Sequence, residues 1–394
     1  MRKRNLVIAG LSIGAGLMLL SLPKSFVAQQ APAKAPAVPS NAPQTTAKPA
    51  TAPYKQPMTS WGEPDISGMW PINHLVNTDL QRNARYGDRA FLTDEEFAAA
   101  QKSAEASQKQ KASGAIPSSE SGAAIRQTGL IVDPPNGQFP PLTDYGKQLQ
   151  AKMESSYKPD PANPSAYKST FDGIEDFGPW DRCITRGLPV SMEPRNYNNG
   201  IRITQAPGYV IITTEMAHES RVIPTTPQPR LDPSIKEWLG ESRGHWEGNT
   251  LIVETTNFNG LTELTSAGVP GSPRPLQPST PNMKITERFK RTATNSMDYS
   301  IKVEDPTILA TGSFTVAYPM MLDNSYQMYE YACHEGNTAI RNYIETYRYA
   351  KAHPQPAAPA GAGRGGGGAG GRGGQAPAGG GGRGQAPPAG AGQR

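Results

Sequence analysis

The chain has 394 residues and a formal net charge of +5, from 39 Lys and Arg against 34 Asp and Glu. The excess of bases lies at the two ends, since residues 56–352 contain 28 bases and 34 acids. A mildly acidic folded part is the reverse of what a nucleic-acid-binding domain shows, so we exclude that class and expect no nucleic acid partner.

The N-terminal segment predicts export. Three basic residues, Arg2, Lys3 and Arg4, precede an uncharged apolar run from Leu6 to Leu22, an order typical of a secretory signal peptide. A cut after Ala28 would place Phe26 at the −3 position, where a small residue is preferred, so an uncleaved membrane anchor is the alternative. We expect residues 1–28 to be one or the other. The protein would then be periplasmic or extracellular, with membrane contact only through this segment.

Low-complexity segments flank the predicted globular part. Residues 29–55 are rich in Pro and Ala, and residues 353–394 in Gly, Arg, Pro and Ala. Neither segment has enough large apolar side chains to offset the entropy lost on ordering. We therefore predict a disordered linker, a disordered tail, and a single β-rich globular domain over residues 56–352.

The first part of this domain, residues 56–199, is irregular and Pro-rich with two predicted helices. Thr93 and Glu96 form a capping box, which predicts a helix that runs to about Gln110. Thr143 precedes a second helical stretch that runs to about Tyr157. The prolines between them favour an extended segment.

Residues 200–352 change to a period of two, which predicts an antiparallel sheet in a mainly β fold, either a barrel or a curled sheet. On the segment MKITERFKR, Ile285, Glu287 and Phe289 share one face, and polar or charged residues occupy the other. The predicted strands are IRITQ, YVIITTE, SRVIP, TLIVETTNF, MKITERFKR, SMDYSIKVED, YQMYEYACH and AIRNYIETYRYA.

Two features resemble lipocalins. Trp70 stands in a Gly-x-Trp sequence near the start of the domain, and Arg341 and Arg348 fall in the predicted last strand. The resemblance implies a barrel whose first-strand Trp packs under a last-strand Arg. The long separation between Trp70 and the main strands departs from that pattern.

Three longer motifs, GPWDRCITRGLP (178–189), SRGHWEGNTLIVETTNFN (242–259) and YEYACHEGN (329–337), resemble a family of exported bacterial proteins of uncharacterised function. The resemblance extends over residues 60–350 and implies no activity or catalytic residue. Ile308–Thr311 stand where we expect an aromatic or Trp-Thr element.

The two cysteines, Cys183 and Cys333, predict one disulfide if the protein enters an oxidising compartment. The alternative is a pair of buried free thiols. No nucleophile motif accompanies them, so the catalytic residues, if any, are unknown.

Histidines beside acids raise the possibility of a divalent metal site. His245 and Glu247 share a strand face, and His218 and His334, with Glu215, could complete the ligands. The alternative is hydrogen-bonded histidines next to surface acids.

Aromatic residues suggest a binding site for a small apolar or sugar-like ligand, with core packing as the alternative. The residues proposed for it are Trp246, Trp180, Tyr331 and Arg341. We expect an exported protein that binds a ligand or partner without catalysis. The alternatives are a metal-assisted enzyme and a structural component of the cell envelope.

Overall fold

The computed structural model describes residues 54–112, 124–265, 268–269, 272–273 and 275–354. The predicted export segment, all but the last two residues of the predicted linker, and nearly all of the predicted tail lie outside these ranges. Of the helices within them, none has the length and apolar character needed to cross a bilayer.

The described residues form three α-helices and fourteen strands. The helices are α1 (Asp94–Ala112), α2 (Asp144–Lys152) and α3 (Ala339–Ala352). The strands are β1 (Gly68–Met69), β2 (Ile131–Asp133), β3 (Pro159–Asp160), β4 (Asn163–Tyr167), β5 (Ile201–Ala206), β6 (Tyr209–Thr214), β7 (Ser220–Pro224), β8 (Glu241–Glu247), β9 (Thr250–Thr256), β10 (Gly268–Val269), β11 (Ser272–Pro273), β12 (Lys284–Ala293), β13 (Ser296–Glu304) and β14 (Ser313–Met321).

The larger sheet has six antiparallel strands in the order β2-β14-β13-β12-β9-β8. Its centre is the predicted hairpin of β12 and β13, which turns at Thr294 and Asn295. Ile285, Glu287 and Phe289 on β12 are fully buried, as the alternation of the sequence predicts. One face of this sheet therefore belongs to the core.

A second antiparallel sheet has four strands in the order β1-β5-β6-β7. Its buried residues, such as Ile203 and Ile212, belong to the same apolar cluster as Phe289 and Ile301 of the larger sheet. The mainly β class is confirmed. Each sheet keeps two edge strands, so the described strands form no closed barrel and the predicted barrel is not confirmed.

Trp70 is fully buried, and its indole N–H donates to the Ile66 carbonyl at 2.9 Å. The guanidinium of Arg291 lies 5.5 Å from its ring centroid. Arg291 belongs to β12, whereas Arg341 and Arg348 lie on a helix. The tryptophan thus meets an arginine, but not the one that a lipocalin arrangement implies.

The C-terminal part is the main departure from the predicted sheet. AIRNYIETYRYA forms α3 instead of a strand, and Tyr343 of that helix packs against Phe171 and Phe177 at centroid distances of 4.9 and 6.1 Å. The segment YQMYEYACH contains no strand. Strand β14, which was not predicted, instead pairs with both β13 and β2.

The two predicted helices of the first part are present. The capping box is formed, because the Thr93 N–H donates to Glu96 Oε2 at 2.9 Å and the Glu96 N–H donates to Thr93 Oγ1 at 3.2 Å. Thr143 caps α2 through the Gly146 N–H at 3.1 Å. That helix ends at Lys152, before the predicted Tyr157.

Candidate functional site

The residues predicted to bind a metal occupy separate elements. His245 lies on β8, with Nε2 3.4 Å from Glu247 Oε1, and both side chains are exposed. Glu247 also pairs with Arg288 at 3.3 Å. These two predicted ligands are thus held by a surface ion pair on the larger sheet.

His218 and His334 lie elsewhere. The His218 ring contacts the Tyr329 carbonyl at 3.2 Å and the Tyr331 N–H at 3.0 Å. His334 is exposed next to Cys333, and buried Glu215 accepts from the Tyr329 N–H at 3.0 Å. Within the described ranges, no three His, Cys, Asp or Glu side chains are arranged to hold a metal ion. The predicted metal site is therefore not assembled within these ranges.

Of the four residues predicted to bind an organic ligand, the structure pairs two. Trp246 packs against the shared core from β8, and Arg341 lies exposed on α3, 3.8 Å from Glu345. Trp180 and Tyr331 meet, with ring centroids 5.9 Å apart. They come from two of the three long motifs.

A disulfide joins these two motifs. Cys183 and Cys333 are bonded, with their Cα atoms 5.7 Å apart and a sequence separation of 150. The predicted pairing is confirmed. The bond holds the segment after β14 against the segment that carries Trp180, although neither segment forms part of a sheet.

Asp181 fixes the backbone around Trp180. Its carboxylate accepts from the Gly178 N–H at 2.9 Å, the Ser155 hydroxyl at 3.0 Å and the Ser156 N–H at 2.9 Å. Charge-assisted bonds of this kind are stronger than neutral ones. The loop after α2 is therefore tied to the motif, and the position of Trp180 is set by hydrogen bonds on its C-terminal side.

Arg186 lies on the face of Trp180. Its guanidinium carbon is 3.7 Å from the ring centroid, and its Nε is 2.7 Å from the Met216 sulfur. Arg186 makes no ion pair with any acid in the described ranges. Burial, with a smaller contribution from Arg195, lowers the pKa of its half-buried guanidinium to about 10.

Glu263 shares this environment. Burial, and then the charge of Asp181, raise the pKa of its carboxyl to about 7, although Arg186 and Arg195 act in the opposite direction. Glu263 forms no ion pair with Arg186, although the charge of Arg186 acts to lower its pKa. A carboxyl with this pKa changes charge near neutral pH.

Tyrosines complete the surroundings. Burial and the charge of Asp181 raise the pKa of Tyr157 to about 12, and burial and the nearby Tyr197 raise the pKa of Tyr331. Both tyrosines are half-buried and electrostatically close to Arg186. We refer to this group as the Arg186 cluster, which consists of Trp180, Asp181, Arg186, Glu263, Tyr157, Tyr197 and Tyr331.

A small cavity adjoins Arg186. It is bounded by Arg186, Arg195 and Asn199 and has a volume of about 10 Å³, enough for one water molecule at most. An organic ligand does not fit in this cavity. At the accessible part of the cluster, such a ligand would meet a planar cation, aromatic faces and hydroxyl groups.

Arg186 and Glu263 were not predicted as site residues. Single motifs favour histidines as site residues, because imidazole is a common metal ligand and base. Arg186 does lie within GPWDRCITRGLP, three residues from Cys183, and a charged side chain so close to a disulfide is the signal that could have indicated it. Glu263 is in no motif.

No protein-family model, no curated protein and no solved structure matches this chain. The resemblance to a family of exported bacterial proteins remains a prediction.

Proposed function

We propose that this protein binds a small organic anion at the Arg186 cluster and does not transform it. The observation that carries the proposal is the state of Arg186, which is half-buried, stacked on Trp180 and without an ion-pair partner among the described residues. A desolvated cation without a counter-charge is unfavourable. A carboxylate from a ligand would supply that charge.

The geometry of the guanidinium favours a carboxylate over other anions. Its donors lie in one plane and match two carboxylate oxygens, which gives both affinity and orientation. The rings of Trp180 and Tyr331 beside it would cover the flat apolar or sugar-like body to which the carboxylate is attached. The ligand class is therefore a planar or cyclic carboxylic acid.

The bonding of Asp181 and of the two cysteines supports binding without catalysis. The carboxylate of Asp181 already accepts several hydrogen bonds, and the two cysteines are joined in a disulfide. Neither is a free nucleophile, and covalent catalysis requires one. Export to the periplasm or beyond is part of this proposal, since the disulfide fits an oxidising compartment.

The test is calorimetric titration of the full chain with benzoate, phenylacetate and glucuronate, and with the neutral counterparts benzamide and glucose. At least one acid should bind about tenfold more tightly than its neutral counterpart, since one charge-assisted contact contributes roughly 1.5–3 kcal/mol. Arg186→Met should abolish this preference. Arg182→Met, an exposed arginine of the same motif, is the matched control and should retain it.

Two results would contradict the proposal. One is equal binding of the acids and their neutral counterparts. The other is the same loss of binding in the Arg182 and Arg186 variants. Conversion of a bound acid to a product would instead overturn the non-catalytic part, and Glu263 would then be the first residue to examine.

A further inference from the structure

A cleft of about 580 Å³ opens beside β1 and β5 and shares no lining residue with the Arg186 cluster. Its volume is within the range of about 300–1,000 Å³ typical of sites for small molecules. The side chains used below are Trp61, Asp65, Arg202 and Asn324. They come from three separate parts of the chain.

Trp61 gives the cleft an aromatic surface. The side chain is 39% exposed, although burial of so large a ring would be favourable. Its loop is closed by the Thr59 N–H, which donates to the Glu63 carbonyl at 2.8 Å, and by the Glu63 N–H, which donates to Thr59 Oγ1 at 3.0 Å. The indole N–H donates to Glu63 Oε2 at 2.9 Å. The exposed ring is therefore held in one orientation, so little ordering is needed when a ligand binds.

Strand β5 supplies a hydrogen-bond donor. Ile201 and Ile203 point into the core, so Arg202 and Thr204 point outward into the cleft. Arg202 is exposed and forms no ion pair with a described acid, and its Nε lies 3.4 Å from the Met69 sulfur. Its terminal nitrogens are available to a ligand.

Asn324 and Asp65 add further polar groups. Asn324 uses its side-chain oxygen to accept from the Met69 N–H at 3.1 Å, which leaves its amide NH₂ without a partner among the described residues. Asp65 uses Oδ1 to accept from the Ser67 N–H at 2.9 Å, and Oδ2 has no such bond. Donors and an acceptor thus lie around the same exposed ring.

We propose that this cleft binds a neutral glycan. The C–H face of a pyranose would stack on Trp61, and its hydroxyl groups, which both donate and accept, would bond to Arg202, Asn324 and Asp65. An apolar ligand would leave these polar groups unpaired, which is unfavourable. A polyanion would be repelled by Asp65 and Glu63. The inference is independent of the function proposed for the Arg186 cluster.

The test is titration of the full chain with three neutral hexasaccharides, cellohexaose, chitohexaose and xylohexaose. Binding is measured by tryptophan fluorescence and by calorimetry. At least one should bind, and Trp61→Ala should weaken its binding about tenfold or more, while Arg202→Met weakens it several-fold. Tyr349→Ala removes a more exposed aromatic ring from α3 and should leave the affinity unchanged. Arg186→Met should also leave it unchanged, which separates this site from the Arg186 cluster.

The proposal is overturned if none of the three hexasaccharides binds at millimolar concentration. It is also overturned if Trp61→Ala, with an unfolding midpoint equal to that of the wild type, binds as the wild type does.

Discussion

Two arginines of this protein stand among the same residue types in very different states. Arg221 on β7 faces Glu287 on β12, with Nη2 2.9 Å from Oε1, and both side chains are buried. The Tyr299 hydroxyl donates to the same carboxylate at 2.9 Å. Arginine, glutamate and tyrosine here form a closed group between the two sheets, in which both charges are paired.

Arg186 has a glutamate and tyrosines near it as well, but no acid of the described ranges reaches ion-pair distance. Its partner is the ring of Trp180, and its neighbours Glu263 and Tyr331 remain half-buried. Pairing therefore decides the role of a desolvated charge in this protein. Where the protein supplies the counter-charge, as Glu287 does for Arg221, the ion pair has a structural role. Where the protein supplies none, as at Arg186, a ligand can provide the counter-charge.

The largest expected effect is from Glu287→Gln, which should lower the free energy of unfolding by about 3–5 kcal/mol, because Arg221 would be left as a buried unpaired charge. Urea unfolding followed by fluorescence measures it. The matched double variant Arg221→Met with Glu287→Leu removes both charges and should be less destabilised than the single variant. If the single and double variants were equally stable, the pair would not be the closed group described above.

Loss of the disulfide should have the next largest effect. Cys183→Ser with Cys333→Ser should lower the free energy of unfolding by about 2–5 kcal/mol, because the bond closes a loop of 150 residues in the unfolded chain. In addition, Trp180 and Tyr331 would no longer be held together, so anion binding should weaken even at temperatures where the sheets remain folded. Circular dichroism and calorimetric titration on the same sample measure both effects. Undiminished anion binding would show that the bond does not organise the Arg186 cluster.

Glu263 should make stability depend on pH. Its pKa is raised from 4.5 to about 7, so between these values the folded chain keeps a proton that the unfolded chain releases. The free energy of unfolding should therefore fall as pH rises through this window, by roughly 2–3 kcal/mol after allowance for partial exposure. Glu263→Gln should remove this fall, with near-equal stability at pH 4 and greater stability than the wild type at pH 8. Parallel pH profiles for the two proteins would contradict the assignment.

The smallest expected effect on stability comes from Arg186→Met, which should change the free energy of unfolding by no more than about 1 kcal/mol. The variant loses the contact with Trp180 but also removes an unpaired desolvated charge, and these effects oppose each other. Arg221→Met, by contrast, leaves Glu287 unpaired and should cost several times as much. Comparable losses in the two variants would remove the distinction between the closed group around Arg221 and the Arg186 cluster.

Six of the ten strands of the two sheets were predicted from the sequence, namely β5, β6, β7, β9, β12 and β13, whereas β1, β2, β8 and β14 were not among the predicted strands. On β12 buried and solvated residues alternate, so the period of two is visible. Strand β9 instead has three buried residues in succession and was recognised by its β-branched composition. The segment that forms α3 was wrongly predicted as a strand. Its apolar residues follow the helical spacing of three and four and not a period of two, at Ile340, Tyr343, Ile344 and Tyr347.

The candidate site was predictable only in part. Trp180, Tyr331 and the disulfide were predicted, because conspicuous residue types mark them. Arg186 stands out because no acid of the described ranges forms an ion pair with it, and the absence of an ion pair can be seen only in the folded chain. For the same reason the prediction joined His218 and His334 to the pair His245 and Glu247, although the fold places no three such ligands together within the described ranges.

The disulfide also bears on how the protein would respond to proteolysis. Residues 183–333 form a covalent ring that contains β5 to β14. The exposed segment 226–237, which joins the two sheets between β7 and β8, lies within this ring and is an accessible place for a protease to cut. After such a cut the two fragments would stay attached through Cys183 and Cys333, and they would separate on a gel only after reduction. A nicked molecule would therefore keep all its strands, and Trp180 and Tyr331 of the Arg186 cluster would remain linked through the disulfide.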